Sequence, residues 1–275
     1  MIKSARGSND IAIVVGGGSS ANKRLAAPAE LYARPAMPSA YREYPAPLGL
    51  EAVVACTWEQ EPAEDRVQRV VPDGCLDLIW LAERELVVAG ADTGPRSVDL
   101  AAGMRSSGIR LCPGAAAAVL GLPASELRDR QVRCEHVWGE RAARLEVALA
   151  GAVPARRLEL LADAVARRRA EPDGLVIAAA QRLAVPGARV AGVASELGVG
   201  ERMLHRRMVA ALGYGPKVFA RVARLRRLVA LPDASLASRA LRAGYASQAH
   251  MSDEVRRLAG TTPVRFLEDA VLTVA

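Results

Sequence analysis

The sequence contains no hydrophobic run long enough to cross a membrane. Apolar residues make up 51% of the 275 residues, but they occur in short, alanine-rich stretches, whereas a membrane-spanning helix needs about 18 or more in succession. Near the start, the only apolar stretch is Ile11–Val15, which is shorter than the core of a secretory signal peptide. We therefore expect a cytoplasmic protein that has no membrane partner.

Cysteine and histidine are few, and their spacing does not fit a metal site. Cys56, Cys75, Cys112 and Cys134 lie 19, 37 and 22 residues apart and include no CxxC pair, which argues against a zinc finger and favours a reduced, intracellular protein. His136 is the only histidine in the first two-thirds of the chain, whereas a metal-binding β-barrel of the cupin type uses several. We expect no metal and no cofactor.

Residues 1–38 do not show the periodicity of a helix or a strand. They contain the glycine and serine stretch Gly16–Ser20 and several prolines, a composition typical of a disordered tail. The stretch GGGSSANK lacks the spacing of a phosphate-binding P-loop. Met37 is an alternative start of translation, in which case residues 1–36 are not translated.

Residues 41–140 are predicted to form a small, mainly antiparallel β domain. Apolar residues recur at every second position from Leu50 to Trp58, which is the period of a strand. The sequence Pro-Asp-Gly at 72–74 is a turn between two further apolar stretches. The other candidate strands are Val67–Val71, Cys75–Leu81, Leu86–Ala89 and Ile109–Cys112, and Pro113–Gly121 is a candidate helix.

Residues 141–172 have the period of amphipathic helices instead. The first helix contains RAARLEVALAG, and Pro154 opens a second that carries Leu158, Leu161 and Val165 on one face. A Pro-Asp-Gly sequence ends this region, and we place the start of the next domain at residue 174. These two helices either form a homodimer contact with a second copy or pack against the β domain of their own chain.

A pattern of apolar residues, Gly and Pro occurs twice in the last hundred residues. From Leu204, offsets 4, 7, 8, 9 and 12 hold Met, Ala, Leu, Gly and Pro, and from Met251 they hold Val, Leu, Ala, Gly and Pro. Offsets of 4, 7 and 8 lie on one face of a helix, and the Gly and Pro mark its end. Each copy follows a short helical segment and a glycine, Gly198 or Gly244. Because a short helix, a turn and a second helix form a helix-turn-helix motif, two such motifs are predicted.

Positive charge is concentrated with these two motifs. Residues 174–275 contain 15 Lys and Arg against 7 Asp and Glu, whereas the remaining residues contain 22 against 23. A basic domain attracts the phosphates of nucleic acid and releases their counterions on binding. The charge distribution therefore supports a DNA-binding role for the C-terminal domain.

The faces opposite the two apolar stripes carry side chains suited to DNA. Arg binds guanine through two hydrogen bonds, Gln binds adenine, Asp accepts from cytosine, and arginines at the flanks suit phosphates. The predicted base-reading residues are Glu201, Arg202, His205 and Arg206 in the first motif and Ser247, Gln248, His250, Ser252 and Asp253 in the second. The predicted phosphate contacts are Arg207, Arg256 and Arg257. Most of the basic residues between the motifs, Lys217, Arg221, Arg224, Arg226 and Arg227, are expected to be solvated.

The segment from Gly244 to Pro263 reads G-Y-x-S-Q-x-H-x-S-x-x-x-x-R-x-x-G-x-T-P and resembles the AraC/XylS family of bacterial transcription regulators. The resemblance covers about residues 174–270. It implies two helix-turn-helix units, joined by a long helix, that read successive major-groove segments of double-stranded DNA at a promoter or operator. It also implies base contacts by Arg202, His205 and Arg206 in the first unit and by Gln248, His250, Ser252 and Asp253 in the second.

Asp253 departs from that family, which usually carries Arg at this position. Because a carboxylate repels phosphates, the second unit is expected to bind DNA more weakly or to read a cytosine. Activation through contact with RNA polymerase is common in the family and is a further expectation from the resemblance.

The N-terminal domain is similar to a sensor-like domain of unassigned ligand found in some of these regulators. The similar stretches are RVVPDGCLDLIW, GIRLCPGAAAAVLGLPASEL and VWGE. The resemblance implies a cupin-like domain for an unknown small-molecule effector. Asp73 is interpreted as a turn residue that caps its own backbone, and Asp77 as a strand or pocket residue. Trp58, Trp80 and Trp138 are expected in the core rather than in a pocket.

The predicted fold class is α+β: a small antiparallel, cupin-like β domain, a helical linker and an all-α domain with two helix-turn-helix units. The leading hypothesis is a nucleoid-associated, sequence-specific transcription regulator without catalytic activity. One alternative is a redox or alkylation sensor that uses a cysteine, because all four cysteines lie in the N-terminal domain. Another is a nonspecific architectural DNA binder.

Overall fold

A computed structural model describes residues 41–231 and 235–271. The predicted tail, residues 1–38, lies outside the described residues, as does the question of a start at Met37. Within these ranges the chain forms eight strands, followed by a helical C-terminal half, with short helices interspersed in the β region. The predicted α+β class is confirmed.

The eight strands form two sheets. The strands are β1 Tyr41–Pro45, β2 Val54–Gln60, β3 Arg66–Val70, β4 Leu76–Leu81, β5 Glu85–Ala89, β6 Arg96–Leu100, β7 Ser106–Leu111 and β8 Gln131–Arg133. Six of them form an antiparallel sheet in the order β1-β2-β7-β4-β5-β8, and β3 pairs with β6 in a second, two-stranded sheet.

One expectation for the strands needs correction. The strand predicted from Leu50 begins only at Val54, because the Leu50 carbonyl accepts hydrogen bonds from the backbone N–H groups of Val53 and Val54 and makes a turn. The strands predicted on either side of the turn at residues 72–74 are both present, and they belong to different sheets. The turn therefore connects the two sheets.

Alternation along β4 separates two environments. Leu76, Leu78 and Trp80 are buried on one side of the large sheet, whereas Asp77, Ile79 and Leu81 are half-buried on the other side. The first side packs against helices, and the second lines a cavity that the two-stranded sheet covers. A period of two thus places a core and a cavity on opposite faces of one strand.

The helices of the linker region pack against their own β domain. After the short helices α1 Ala116–Leu120 and α2 Glu135–Trp138 come α3 Glu140–Ala150 and α4 Pro154–Arg168. Leu149, Leu161 and Val165 are fully buried in the core shared with the sheet. Arg157 of α4 is also buried. It donates to the Leu149 carbonyl of α3 (3.2 Å) and to Glu83 in the turn between β4 and β5 (2.5 Å), and so ties α4 to α3 and to the sheet. Of the two interpretations for this apolar stripe, packing within the chain is the one observed.

In the described part of the C-terminal half, the chain forms seven helices, which contain both predicted motifs. They are α5 Gly174–Leu183, α6 Val190–Glu196, α7 Glu201–Leu212, α8 Pro216–Ala230, α9 Leu236–Ala243, α10 Gln248–Ala259 and α11 Pro263–Val271. The pairs α6–α7 and α9–α10 are the helix-turn-helix units, and α8 joins them. Gly198 and Gly244 in their turns have positive φ angles of 66° and 90°, a conformation that side chains with a Cβ adopt only with strain.

The apolar stripes predicted for α7 and α10 are buried, but they belong to different cores. Leu204, Met208 and Leu212 share one continuous core with the β domain and with α3–α6. Met251 and Val255 belong to a separate core, which is formed by the end of α8 and helices α9–α11. The first unit is therefore fused to the N-terminal domain, and the second is an attached body with its own packing.

Candidate nucleic-acid interface

Helix α7 presents the predicted polar face to solvent. Glu201, Arg202, His205 and Arg206 are all exposed, whereas Leu204 on the opposite side is completely buried. The His205 ring rests on the backbone of Gly215, where a Cβ would approach Nε2 to 2.6 Å. The chain after the helix therefore needs glycine to leave room for this ring. The burial pattern is the one that a major-groove reading helix requires.

Arg207 is bound within the protein rather than directed outward. Its Nε lies 2.6 Å from Asp173 Oδ2, and its Nη2 lies 2.5 Å from Asp173 Oδ1. The same carboxylate accepts from the backbone N–H groups of Leu175 and Val176 and so caps the start of α5. This bidentate ion pair holds α7 against α5, a contact that the sequence did not indicate. The phosphate contact predicted for Arg207 stays a prediction.

The start of α10 is built from three of the predicted base-reading residues. Ser247 is the N-cap and accepts from the His250 N–H at 3.1 Å, and His250 Nδ1 accepts from the Ala246 N–H at 3.2 Å. The Ser252 hydroxyl donates to the Gln248 carbonyl at 2.9 Å. The first two bonds satisfy backbone N–H groups that an exposed helix start leaves open. They fix the shape of the helix end that a groove would meet.

Gln248 and Asp253 project from this framework and are exposed, as predicted. Arg256 and Arg257 are also exposed, and Arg256 Nη1 lies 3.5 Å from Asp253 Oδ1. Because both side chains of that pair are solvated, the ion pair is weak and leaves Arg256 able to turn to a phosphate. The structure thus brings together, on one solvated face of α10, the second group of predicted DNA contacts.

Glu254 is a residue that the sequence analysis missed. It is buried in the face of α10 that packs on α8, where it accepts from Arg221 Nε (2.8 Å) and from Arg224 Nη2 (2.9 Å). These charge-assisted bonds connect the second reading helix to the helix that joins the two units. The burial of Glu254 could have been predicted from its spacing, because it follows Met251 by three residues and so lies beside the buried stripe of the helix.

The expectation that most basic residues of α8 are solvated is therefore wrong. Besides the two arginines on Glu254, Arg226 Nη1 donates to the Asp73 carbonyl at 3.2 Å. Arg227 donates to the carbonyls of Ala243 and Ala184, the latter at 2.7 Å. Lys217 is the member of this group that is exposed. Helix α8 is a structural connector, because its arginines bind the second unit, the end of α5 and the N-terminal domain.

The N-terminal domain contains a cavity between its two sheets. The Arg110 side chain is 1% exposed and lies at the floor of this cavity. Its Nε is 3.2 Å from Asp77 Oδ1 and 3.8 Å from Asp73 Oδ2, and its Nη1 is 2.7 Å from Glu43 Oε1. Asp73 Oδ1 also accepts from the Cys75 N–H at 3.0 Å, so its predicted role in capping the turn is confirmed. The interpretation of Asp77 as a pocket residue is confirmed as well.

All three tryptophans are buried, as expected, and one of them also lines the cavity. Trp80 and Trp138 are 2% and 6% exposed and belong to the main core. Trp58 is likewise 6% exposed and belongs to a smaller core cluster with Tyr41 and Cys56, but it also lines the cavity, with its Nε1 3.4 Å from Asp77 Oδ1. Sequence periodicity did not separate these cases, because it does not tell which face of a strand a second sheet will cover.

The four cysteines are all buried, and they are not joined in disulfide bonds. Burial raises the pKa of the Cys112 thiol to about 12, and it raises that of Cys134 to about 12 as well. Burial, and next the charge of Asp73, raise the pKa of Cys75. These thiols are protonated at neutral pH, whereas a reactive cysteine needs the thiolate and access to its reagent. Their environment disfavours the redox or alkylation sensor.

The cavity wall and the turn between the sheets touch the helices that follow the two helix-turn-helix units. A Cβ at Gly74 would lie 3.4 Å from Phe219 Cε2 of α8 and 3.6 Å from the hydroxyl of Tyr214, which lies between α7 and α8. Arg69 Nη1 of β3 lies 3.3 Å from Asp269 Oδ2 of α11, and Val71 packs against the core of the second unit. The segment that covers the cavity therefore contacts α11 and the core that supports the second reading helix, and the turn contacts α8.

Among residues 41–231 and 235–271, no three His, Cys, Asp or Glu side chains are grouped so that they could hold a metal ion. No helix in this part of the chain has both the length and the apolar composition needed to cross a membrane.

Comparison with known proteins assigns two regions of the chain. Residues 42–133 match the family described as "Domain of unknown function (DUF6597)", and residues 193–269 match the family described as "Helix-turn-helix domain". No curated protein matches the sequence.

Similar solved structures include ToxT from Vibrio cholerae, at 10% identity and a TM-score of 0.43, over 86% of this chain and 100% of that chain. Unsaturated fatty acid bound wild-type ToxT from Vibrio cholerae is also similar, at 10% identity and a TM-score of 0.38, over 78% and 94% of the two chains.

The matched helix-turn-helix family consists of transcription regulators and not of enzymes. Its match spans both motifs, whose reading faces are exposed and whose apolar stripes are buried. The chain is therefore identified as a DNA-binding regulator with an AraC-type helix-turn-helix domain at its C-terminus, behind an N-terminal β domain of the DUF6597 family.

Proposed function

We propose that this protein is a cytoplasmic, nucleoid-associated regulator that binds a specific promoter or operator sequence and responds to a small-molecule effector through its β domain. The observation that carries the DNA-reading part is the paired exposure of polar faces on α7 and α10. In each helix a fully buried stripe fixes the rotation about the helix axis, so that Arg206 and Gln248 face outward. Their side chains suit guanine and adenine edges respectively.

The two units differ in how firmly their reading helices are supported. Helix α7 is part of the core of the N-terminal domain, and the Arg207–Asp173 ion pair holds it in place. Helix α10 depends on its own smaller core and on Glu254. With Asp253 on its reading face, the second unit is proposed to add specificity more than affinity, because a carboxylate opposes the phosphates but accepts from cytosine.

Response to an effector is supported by the contacts between the cavity wall and the helix-turn-helix units. The turn at residues 72–74 connects the two sheets and lies against Phe219 and Arg226. A molecule that separates the sheets would displace this turn and, through Arg69 and Asp269, the second unit. Such coupling requires that the effector bind one arrangement of the two units better than another. Activation by contact with RNA polymerase is the proposed output.

The first test is binding of the purified full-length protein to the DNA upstream of its own gene, with scrambled competitor and over a series of salt concentrations. Specific regulators prefer their sites by about a thousandfold or more. A preference of at least about a hundredfold supports the proposal, whereas a steep salt dependence with no preference would identify a nonspecific, architectural binder.

Arg206→Ala tests base reading at a single side chain. We expect it to cost about 1–3 kcal/mol on the preferred site and to relax the preference at one base pair. Arg144→Ala is the matched control, since Arg144 is an exposed arginine on α3 in the other domain. Equal loss by Arg206→Ala on preferred and random DNA would show that Arg206 contacts phosphate only.

A further inference from the structure

The turns of the two helix-turn-helix units differ in length by one residue. Each contains a glycine of positive φ, Gly198 or Gly244, and the residue after it donates to the carbonyl five positions before that residue, at 3.0 Å and 2.9 Å respectively. Counted from this glycine, the N-cap of the reading helix is two residues on in the first unit, at Gly200, and three residues on in the second, at Ser247. The second turn therefore contains one additional residue, Ala246.

An additional residue adds a backbone N–H group, which must bond to the protein or to water. In the second unit His250 supplies the acceptor, since its Nδ1 lies 3.2 Å from the Ala246 nitrogen. The backbone N–H of His250 in return donates to the Ser247 hydroxyl at 3.1 Å. The residue at the equivalent position of α7, one before the buried stripe, is Met203, whose thioether is only a weak acceptor. The histidine thus belongs with the longer turn.

Other sides of the His250 ring also meet protein groups. Its Nε2 lies 3.8 Å from Glu254 Oε1. The ring meets the Tyr245 ring edge-on, with centroids 5.6 Å apart, and Tyr245 is buried in the core of the second unit. The His250 side chain is 41% exposed, but contacts on three sides fix the direction of its ring.

The bond to Ala246 determines which form of the imidazole is present. A ring nitrogen that accepts from an N–H group carries no proton, so the proton of the neutral ring is on Nε2, which faces the Glu254 carboxylate. A proton on Nδ1 would remove the acceptor and turn one donor towards another. The turn is therefore held by neutral His250 and not by the imidazolium form.

The charged groups around the ring do not replace this bond. Glu254 attracts an imidazolium, but it already binds Arg221 and Arg224. The Arg224 guanidinium lies over the Tyr245 ring, with Cζ 5.6 Å from its centroid, and Arg227 donates to a backbone carbonyl at the end of α9. Burial, and next the charge of Glu254, raise the pKa of Tyr245, so its hydroxyl stays neutral near pH 7. A protonated ring gains a shared carboxylate and loses its bond to the turn.

We propose that His250 is a positioning residue of the second reading helix. In its neutral form it holds Ala246, the additional residue of the turn, and so sets the direction in which Gln248 and Asp253 meet DNA. It acts through the turn and does not itself read a base, and its protonation weakens the binding of DNA by the second unit. The assignment rests on the proposed function in that the second unit must contact DNA, but the bond to Ala246 exists without DNA.

Three substitutions distinguish an acceptor at the turn from a contact with a base. His250→Asn places its Oδ1 at the bonding position of Nδ1, His250→Gln carries its amide as far out as Nε2, and His250→Ala has neither group. Binding by the full-length protein is measured on a duplex selected from random sequences by its affinity for the wild type. We expect the Gln and Ala variants to bind about three- to tenfold more weakly and the Asn variant to recover most of this loss.

Helix propensity does not produce this order, because Asn is a poorer helix former than Gln. His136→Asn is the matched control, since it makes the same change at an exposed histidine of the N-terminal domain and should leave binding unchanged. Recovery by Gln and not by Asn would show that the outer end of the side chain contacts DNA, which overturns the proposal. Equal binding by all three variants would overturn it as well, because the acceptor would then have no effect.

Hydrogen exchange at the Ala246 amide tests the bond without DNA. Ala246 is exposed, so its amide exchanges rapidly once the bond to His250 is lost. We expect protection in the wild type and the Asn variant, and about tenfold less in the Gln and Ala variants. The Arg265 amide, which donates to the Thr262 hydroxyl at 3.3 Å, is the reference and should not change. Loss of protection in the Asn variant, or protection in the Ala variant, would overturn the assignment.

The pH dependence of DNA binding has opposite signs for the two roles. Histidine gains its proton between about pH 8 and pH 5, and His136 and His205 titrate in the wild type and in His250→Asn alike. The ratio of wild-type to variant affinity should therefore fall about three- to tenfold over this range. An imidazolium that contacts a phosphate would raise the ratio. A ratio that rises or stays constant would overturn the proposal.

The exchange and binding measurements also separate this assignment from the proposed function. A protein that shows the expected exchange pattern but no DNA preference retains the bond at the turn and loses the proposed function. A protein that prefers its DNA but leaves Ala246 unprotected retains the function and loses this assignment. If the variants do not fold, the wild type alone decides, because protection of Ala246 relative to Arg265 should decrease as the pH is lowered.

Discussion

At the scale of single residues, the DNA-binding domain uses arginine for two different purposes. Arg202 and Arg206 are solvated on α7, whereas Arg207, the next residue, is bonded to Asp173. Helix α8 repeats the contrast with Arg221 and Arg224, which are bonded to Glu254. Sequence composition correctly indicates a basic domain, but part of that charge forms ion pairs within the fold. A count of charges therefore does not give the number of arginines that are solvated on the reading faces.

Glu254→Gln tests this structural use of charge. The carboxylate is 11% exposed and has two guanidinium partners, so we expect its loss to lower the free energy of unfolding by about 1–3 kcal/mol. Asp253→Asn is the matched control, because the neighbouring carboxylate is 76% exposed and should change stability by less than about 0.5 kcal/mol. Urea denaturation checks both, and equal effects of the two substitutions would refute the structural role of Glu254.

At the scale of elements, the two helix-turn-helix units have the same turn chemistry. Each reading helix follows a glycine of positive φ and ends in another, Gly213 or Gly260, before a proline opens the next helix. These features were predicted from sequence, because they depend on residues within a few positions of each other. The strands β1, β6 and β8 were not predicted, because their segments are short and are held in place by distant partners.

Gly244→Ala tests the turn of the second unit. With φ at 90° and a Cβ position 3.0 Å from Arg227 Nη1, alanine should cost about 1–2 kcal/mol or more in unfolding free energy. Gly192→Ala, in the exposed part of α6, meets nothing within 4 Å and should instead stabilise the protein by about 0.5–1 kcal/mol. Thermal and urea unfolding check the opposite signs. Stabilisation by both changes would contradict the assigned turn conformation.

At the scale of the whole molecule, the division into cores differs from the division by sequence motif. The sequence separates a β domain, a linker and a DNA-binding domain at residue 174. A helix break does lie there, since α4 ends at Arg168 and α5 begins at Gly174. The hydrophobic core nevertheless continues across it, from the large sheet to α7, and stops within α8. The first unit is therefore expected to unfold with the β domain, and the second unit independently.

Met208→Ala and Met251→Ala test this division with one substitution at two equivalent positions. Both methionines are fully buried, so each change should cost about 2–5 kcal/mol locally. Hydrogen exchange distinguishes the two: Met208→Ala should reduce protection of the β7 amides as well as those of α7. Met251→Ala should affect α9–α11 and leave β7 protected. Equal loss of protection in β7 would show that the two cores behave as one cooperative unit.

The sequence by itself determined the helix-turn-helix units, their buried stripes and most of the strand positions. These follow from periods of 3.6 and 2 and from Gly and Pro at fixed offsets, which are local properties of the chain. The capping role of Asp73 was local in the same way. The outward positions of Arg206 and Gln248 followed from the stripes opposite them.

Only the tertiary structure decided which strands pair and which tryptophan faces the cavity. It also decided which groups the side chains of Glu254, Arg207 and Arg226 bind. It also decided that α3 and α4 cover their own sheet and that the segment covering the cavity touches the second unit. These features depend on contacts between residues far apart in the chain, such as Arg69 with Asp269. Periodicity fixes the face of an element on which a residue lies, but only packing decides what that face meets.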